Sequence, residues 1–175
     1  MSPFLPETWP VPLEALPTEA YLVGGSVRDQ LMDRQATYLD LDFVLPQRAV
    51  ETASDLAKTC NAGFVVLDEE RNIARVVFEQ VTVDFAQQQG ASIESDLRRR
   101  DFTINAIAYH PHNKTLIDPL GGAADITAQI LRMVSYRNLA ADPLRLMRAY
   151  RQAAQLGFRV ESTTQQAIKE LAPKL

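Results

Sequence analysis

Apolar and polar residues alternate along short segments in the first half of the chain, which predicts β-strands. Leu39, Leu41 and Phe43 fall on one face of an extended strand, and Asp40 and Asp42 fall on the other. Strand patterns of this kind occur at residues 20–23, 39–45, 63–67, 73–78 and 81–85. Helical patterns occur at residues 26–33 and 47–60. The first half is therefore expected to be a mixed α/β region with a short sheet.

The second half becomes helical towards its end. Residues 86–97 are predicted to form a loop and residues 104–110 a strand, and a short helix is expected after Gly122. From Asp142 apolar residues recur at helical spacing up to Gly157, which can end a helix. One more helix is predicted at residues 164–172.

These patterns divide the chain into three parts. Residues 1–19 contain five of the ten prolines and are expected to be an extended or partly disordered lead-in. Residues 20–135 are expected to form a head that contains the sheet, and residues 137–175 the beginning of a helical domain. The predicted fold class is α+β.

Two carboxylates one residue apart carry the first chemical signal. Because residues i and i+2 of a strand share a face, Asp40 and Asp42 lie side by side and repel each other unless a cation lies between them. Mg²⁺ is the natural cation, since it takes carboxylate oxygens and keeps positions open for phosphate. Asp84, on the strand at 81–85, could complete the metal site if that strand lies beside the first.

A pair of glycines precedes the aspartates by about a dozen residues. Gly24 and Gly25 fall between a predicted strand and a predicted helix, where glycine lets the backbone approach a ligand closely. The free N–H groups of the helix N-terminus favour a phosphate, and Arg28 in the first turn can reach the same anion. The two signals together predict a phosphate cradle followed by metal-binding carboxylates.

Five segments then occur in a fixed order along residues 20–175. They are residues 22–29 (LVGGSVRD), 40–42 (DLD), 99–108 (RRDFTINAIA), 118–125 (DPLGGAAD) and 142–151 (DPLRLMRAYR). Together they resemble the class II tRNA nucleotidyltransferase/poly(A) polymerase family.

The resemblance implies both a fold and an activity. The fold is a polymerase-beta-like nucleotidyltransferase head, here residues 20–135, followed at 137–175 by the start of an all-helical neck that helps to grip RNA. The activity is template-independent, Mg²⁺-dependent transfer of CMP or AMP to RNA 3′ ends, as in synthesis or repair of the tRNA CCA or CC end. The implied partners are CTP, ATP and tRNA, and two Mg²⁺ ions are implied at Asp40 and Asp42, with Asp84 as the third carboxylate.

The segment after the arginine run suits a ribonucleotide. Arg100 can donate to ribose or phosphate, Asp101 can accept from a ribose hydroxyl, and Asn105 can do either. A site that bonds the 2′-hydroxyl distinguishes ribonucleotides from deoxyribonucleotides. The resemblance implies that use for Arg100 and Asp101.

A second polar stripe lies on the predicted helix from 142. Asp142, Arg145, Arg148 and Arg151 recur every three residues and form a slanting row. An aspartate can accept from an exocyclic amine while an arginine donates to the adjacent ring nitrogen, and cytosine and adenine share that edge. The resemblance implies that the matching Asp and Arg select CTP and ATP, with the outer arginines facing the triphosphate or the RNA.

Two departures leave the exact reaction open. The family usually has Glu where this chain has Ala141, and the stretch between Asp84 and Arg98 is only thirteen residues long, which within the family goes with stopping after CC. CC addition and CCA addition therefore both remain possible, as does poly(A) synthesis with the same head. A non-catalytic nucleotide- or RNA-binding module is the alternative from a different functional class.

Composition narrows the class of protein. The net charge of −4 argues against a generally basic nucleic-acid binder, but residues 1–95 carry 6 Lys/Arg against 15 Asp/Glu, and residues 96–175 carry 12 against 7. An acidic half and an arginine-rich half suit an enzyme that holds metal and nucleotide. A single cysteine, no long apolar stretch and no secretory signal indicate a cytoplasmic protein without a membrane span. Oligomeric state does not follow from the sequence.

Overall fold

The fold is built on one seven-stranded mixed sheet. A computed structural model describes residues 4, 6–34 and 39–174. The strands are β1 (Tyr21–Val23), β2 (Leu39–Leu45), β3 (Gly63–Asp68), β4 (Ile73–Val77), β5 (Val81–Gln87), β6 (Ala108–His110) and β7 (Thr115–Ile117). Their spatial order is β3-β4-β5-β2-β1-β6-β7. The β2–β5 pair is parallel, and the other neighbours in this sheet run antiparallel.

Seven helices and a small second sheet complete the architecture of the described residues. The helices are α1 (Gly25–Leu31), α2 (Ala49–Thr59), α3 (Ile93–Leu97), α4 (Gly122–Thr127), α5 (Tyr136–Ala140), α6 (Leu144–Leu156) and α7 (Ser162–Leu171). The small sheet pairs β8 (Ile130–Leu131) with β9 (Arg159–Val160) in parallel. Among the described helices, none is long and apolar enough to cross a lipid bilayer.

The alternation in β2 places its two faces in different surroundings. Leu39, Leu41 and Phe43 are buried in the main core, where Phe43 stacks on Phe85 of β5 with ring centroids 5.5 Å apart. The opposite face carries Asp40 and Asp42. The burial of the apolar face fixes the register of the strand, since a slip of one residue would bury both carboxylates.

The expected strands are present, but the connections differ from the prediction. Residues 86–97 were expected to be a loop, yet β5 extends to Gln87 and α3 occupies 93–97, capped by Ser92 in a capping box. The expected strand at 104–110 begins as a 3-10 turn at Thr103–Asn105 and becomes strand only at β6. Polar contacts of the turn with neighbouring segments, described below, override the apolar strand pattern.

The described part of the lead-in is neither extended nor separate from the core. Two 3-10 turns, Pro6–Thr8 and Leu13–Ala15, bend this segment, and Trp9, Val11 and Leu16 are buried in the main core. Prolines permit this path because they suit turns as well as extended backbone. The described part of the lead-in is thus an integral layer of the fold.

The helical region after residue 135 packs directly on the head. Leu139, Leu146 and Leu171 belong to the same apolar cluster as Leu22 and Phe43 of the sheet. The division into a head at 20–135 and a neck from 137 therefore stays a prediction about the family's organisation.

Candidate active site

One large cleft gathers most of the predicted site residues. Its volume is about 1410 Å³, and it opens between the N-terminal end of α1, β2, residues 96–105 and α6. Ten of the thirteen predicted residues line it: Gly24, Gly25, Arg28, Asp42, Arg100, Asp101, Asn105, Asp142, Arg145 and Arg148. Asp40, Asp84 and Arg151, all within the described part of the chain, lie outside this lining.

Three carboxylates meet where β2 and β5 pair. Asp42 lies beside Asp84 in the parallel register, and Asp40 lies beside Thr82, whose hydroxyl donates to Asp40 Oδ1. Burial, and then the charges of Asp40 and Asp84, raise the pKa of Asp42 to about 6, against weaker opposing effects of Arg100 and Arg75. The surroundings of Asp42 thus disfavour its ionised form, which a nearby cation would stabilise.

The third carboxylate already has a partner. Arg75 of β4, opposite Asp84 in the antiparallel register, donates from Nε to Asp84 Oδ1 at 2.6 Å and from Nη2 to Oδ2 at 2.8 Å. The expectation that β5 lies beside β2 is confirmed, but both oxygens of Asp84 are engaged.

The chemistry of the donor set fits a divalent ion at the two remaining aspartates. Over the described ranges, no three or more His, Cys, Asp or Glu side chains group closely enough to hold a metal ion. Asp40 and Asp42 share one strand face. Burial and then the charge of Asp40 raise the pKa of Asp42, and a hard cation between the two carboxylates would offset both effects.

The glycine turn touches both the carboxylates and the arginine segment. Gly24 has φ 77° and ψ −133°, a conformation that side chains rarely adopt. A Cβ built on it would lie 3.4 Å from Arg100 Nη1 and 3.6 Å from Asp42 Oδ2. The backbone of the predicted phosphate turn, a predicted metal ligand and a predicted nucleotide ligand therefore come within a few ångströms of one another.

A chain of polar side chains crosses the cleft from α1 to α6. Arg28 donates to Asn105 Oδ1 at 2.7 Å and also binds Asp29 at 2.8 Å. Asn105 Nδ2 donates to Asp101 Oδ1 at 3.0 Å, and Asp101 Oδ2 lies 3.0 Å from Arg148 Nη2. Arg28, Asp101, Asn105 and Arg148, predicted from separate segments of sequence, thus form one network.

The arginine segment is held by residues that the sequence patterns missed. Asp96, which is buried, accepts from Arg100 Nη2 at 3.1 Å. Asn138 Nδ2 donates to the carbonyls of Arg98 and Arg100, both at 2.8 Å. The Asp96–Arg100 spacing of four residues was an available signal for a helical ion pair, whereas nothing local marks Asn138.

The two predicted base-reading residues lie together at the start of α6. Arg145 Nε is 3.8 Å from Asp142 Oδ2, and Arg145 Nη1 donates to the carbonyls of Arg99 and Asn138. Asp142 Oδ1 accepts from the N–H of Leu144. Arg151 is exposed and lies outside the cleft, so the predicted four-residue stripe contributes three residues to this site.

Comparison with known proteins identifies the family to which the chain belongs. Residues 20–132 match the poly(A) polymerase head domain. A CC-adding tRNA nucleotidyltransferase of Synechocystis sp. is 57% identical over 95% of this chain and 40% of its own length. An A-adding tRNA nucleotidyltransferase of Deinococcus radiodurans is 44% identical over 94% of this chain and 37% of its own length.

A solved structure shares the fold. A tRNA nucleotidyltransferase complexed with a primer tRNA and an incoming ATP analog superposes with a TM-score of 0.77 at 33% identity, over 88% of this chain and 46% of that one. This likeness confirms the expected α+β nucleotidyltransferase head. The chain spans about 40% of the length of the curated relatives it matches. It belongs to the tRNA nucleotidyltransferase/poly(A) polymerase family.

Proposed function

We propose that this chain supplies the catalytic head of an enzyme that transfers CMP or AMP from CTP or ATP to the 3′ end of tRNA. The observation that carries the proposal is the meeting of Asp42, Gly24 and Arg100 within a few ångströms at the cleft wall. Transfer of a nucleotidyl group needs a metal-binding carboxylate, a close backbone approach and a cation at the same point. The names of the relatives support this reaction class and add tRNA as the acceptor. The same class of protein favours a cytoplasmic location.

Different residues would position the metal ions and the triphosphate. Asp40 and Asp42 would hold the metal, and the oxygens of Asp84 are occupied by Arg75. Two bound Mg²⁺ ions would lower the pKa of the RNA 3′-hydroxyl and neutralise charge on the leaving pyrophosphate. Arg28, fixed by Asp29 and Asn105, presents its guanidinium beside the glycine turn, where it binds the triphosphate.

Residues at the start of α6 select the base of the nucleotide. Asp142 accepts from the exocyclic amine of cytosine or adenine, and Arg145 donates to the ring nitrogen beside it. Arg145 is fixed by two backbone carbonyls, which supports a defined direction for its remaining donors. Ala141 lines the cleft next to Asp142, so the usual Glu of the family is absent from this wall.

The number of nucleotides added is the finer part of the proposal, and CC addition is favoured. The short segment between Asp84 and Arg98 supports it, as does the 57% identity to a CC-adding relative. The A-adding relative, at 44% identity, makes single A addition the main competitor.

The test reads product lengths at one-nucleotide resolution. The chain is incubated with Mg²⁺ and, in separate reactions, a tRNA that lacks its CCA end and a tRNA that ends in CC. CTP and ATP are supplied singly and together, and the Synechocystis relative serves as positive control. Two additions from CTP and none from ATP would establish CC addition, and three additions when both nucleotides are supplied would establish CCA addition. One addition from ATP to the CC-ended tRNA would establish A addition, and a long ATP ladder would establish poly(A) synthesis. Extension by the control alone would favour the non-catalytic binding module.

A variant completes the assignment. Asp42→Ala should abolish transfer while the chain remains folded, because it removes the carboxylate that faces the cleft. Retained transfer in this variant would refute the proposed metal site.

A further inference from the structure

A buried glutamine on α6 belongs to the polar network, although no motif marks it. Gln152 is 7% exposed, lines the cleft and accepts at Oε1 from Asn105 Nδ2 at 3.0 Å. It lies four residues after Arg148, so both project from the same side of the helix. Arg148 contacts Asp101, and Gln152 contacts Asn105. Two side chains of α6, one turn apart, thus bind two residues of the 101–105 segment.

The charged ends of the network fix the direction of both amides. A guanidinium only donates, so Arg28 requires the oxygen of Asn105. An ionised carboxylate only accepts, so Asp101 requires the nitrogen of Asn105. The second N–H of that nitrogen then takes the oxygen of Gln152.

The nitrogen of Gln152 is therefore the atom left for another partner. Within the described residues, no acceptor bonds to Gln152 Nε2. Asp101, by contrast, offers no donor; what it keeps is one acceptor, Oδ2, which takes no hydrogen bond from the described residues. Its Oδ1 accepts from Phe102 N at 2.8 Å and from Asn105, and its Oδ2 is buried against Arg148.

We propose that Gln152 positions Asn105 and donates through Nε2 to a ribose hydroxyl of the incoming nucleotide. The inference rests on the proposed function. A neutral amide suits a neutral hydroxyl, whereas the phosphates are better served by the guanidinium of Arg28. Gln152 shares Asn105 with Arg28, which serves the phosphates, and lies on the helix whose start carries the base-reading residues. The ribose of a nucleotide joins its phosphates to its base, so it has to pass between those two groups of residues.

The experiment measures dissociation constants of CTP, 2′-deoxy-CTP and 3′-deoxy-CTP in the presence of Mg²⁺. Gln152→Met keeps the length of the side chain but removes both amide groups. Gln152→Glu keeps an acceptor for Asn105 and removes the donor. Gln155→Met is the matched control, because Gln155 is exposed on the same helix and lies outside the cleft.

We expect Gln152→Met and Gln152→Glu to weaken CTP binding about tenfold, the usual effect of one lost hydrogen bond. The affinity for the deoxynucleotide that lacks the contacted hydroxyl should change little, so the preference of the protein for CTP over that analogue falls by a similar factor. The two deoxy analogues show which hydroxyl is bound. Gln155→Met should behave as the unmodified chain does.

Two results would overturn the inference. One is an unchanged preference for CTP over both analogues in Gln152→Met. The other is an equal loss of affinity for all three nucleotides in Gln152→Glu, which would reduce Gln152 to a structural role. Should Gln152→Met fail to fold, as judged by circular dichroism, Gln152→Glu carries the comparison. Absence of CTP binding by both the unmodified chain and Gln155→Met would instead refute the proposed function, on which the inference depends.

Discussion

At the scale of single residues, the carboxylate of Asp42 lies close to two other carboxylates, whose negative charges repel it. Its side chain is partly buried beside two other carboxylates, and burial together with their charges raises its pKa from 3.8 to about 6. A carboxyl group with a raised pKa in the folded state binds its proton more tightly there than in the unfolded chain. Ionisation of Asp42 therefore lowers the stability of the metal-free fold, and the loss grows as the pH rises from about 4 to about 6.

Replacing Asp42 by Asn should stabilise the chain when divalent cations are removed by chelation. From the two pKa values, the gain in the free energy of unfolding is about 3 kcal/mol at pH 7, roughly half of that at pH 5, and close to zero below pH 3. Urea unfolding across this pH range measures it. A gain independent of pH would show that ionisation of Asp42 is not its source.

Arg75 decides whether Asp84 is available as a ligand. Replacing Arg75 by Met should cost roughly 1–3 kcal/mol, because it leaves the half-buried Asp84 carboxylate without its two hydrogen bonds. The increase in melting temperature on adding Mg²⁺ should then exceed that of the unmodified chain, since a third carboxylate becomes free. Lys58→Met is the control, because the Lys58–Asp55 pair is exposed and contributes little. An equal Mg²⁺ response in both proteins would contradict this role.

At the scale of elements, α4 is fitted against the turn that carries Asn105. The carboxylate of Asp118 accepts from the N–H groups of Gly122 and Ala123 and so fixes the start of this helix. A Cβ on Gly122 would collide with the carbonyl of Thr103 and lie 2.9 Å from Ile107 Cγ1. The 3-10 turn at Thr103–Asn105 and the helix thus depend on the absence of one methyl group.

Replacing Gly122 by Ala should destabilise the chain by about 2–3 kcal/mol through this overpacking. Gly121→Ala is the matched control. Its φ of 70° is unfavourable for alanine and costs about 1 kcal/mol, but its Cβ would meet nothing within 4 Å. Chemical denaturation of the two variants compares them directly. If Gly121→Ala were the more harmful change, backbone conformation rather than packing would dominate at this turn.

Elements with a continuous apolar face could be predicted from the sequence, and short ones held by tertiary contacts could not. The alternation from Leu39 to Phe43 specifies β2 and places Asp40 and Asp42 on one face. Helix α3 has only five residues, and its formation depends on the Ser92 cap and on burial of Ile93 and Leu97 against the sheet. Such burial is decided by the fold and leaves only a weak periodic signal.

At the scale of the whole molecule, some residues of the site could likewise be predicted from the sequence and others could not. Sequence motifs predicted Gly24, Arg28 and Asp101 as nucleotide-binding residues, and all three line the cleft. The partners Arg75 and Gln152 were missed because each contact depends on strand order or helix docking. The unequal charge of the two halves of the chain has a structural counterpart, since arginines of the second half line the same cleft as Asp42 of the first.

The lead-in offers the last test, because it precedes the matched family domain but belongs to the core. Trp9 packs edge-on against Phe43 with ring centroids 5.3 Å apart, and Val11 and Leu16 are buried beside it. Burial of three such side chains contributes about 1.5–3 kcal/mol each, which is comparable to the whole stability of a domain. Deleting residues 1–19 should therefore abolish cooperative thermal unfolding, although every predicted site residue remains. Deleting residues 1–3 is the control and should leave the transition in place.

Trp9 is also the single tryptophan of the sequence, so it reports on the lead-in alone. Its fluorescence should shift to longer wavelength at the same temperature at which circular dichroism reports loss of the helices and the sheet, because one core unfolds as a unit. A fluorescence transition well below the dichroism transition would mean that the lead-in detaches first. The boundary of the folding unit would then lie near residue 20, where the family domain begins.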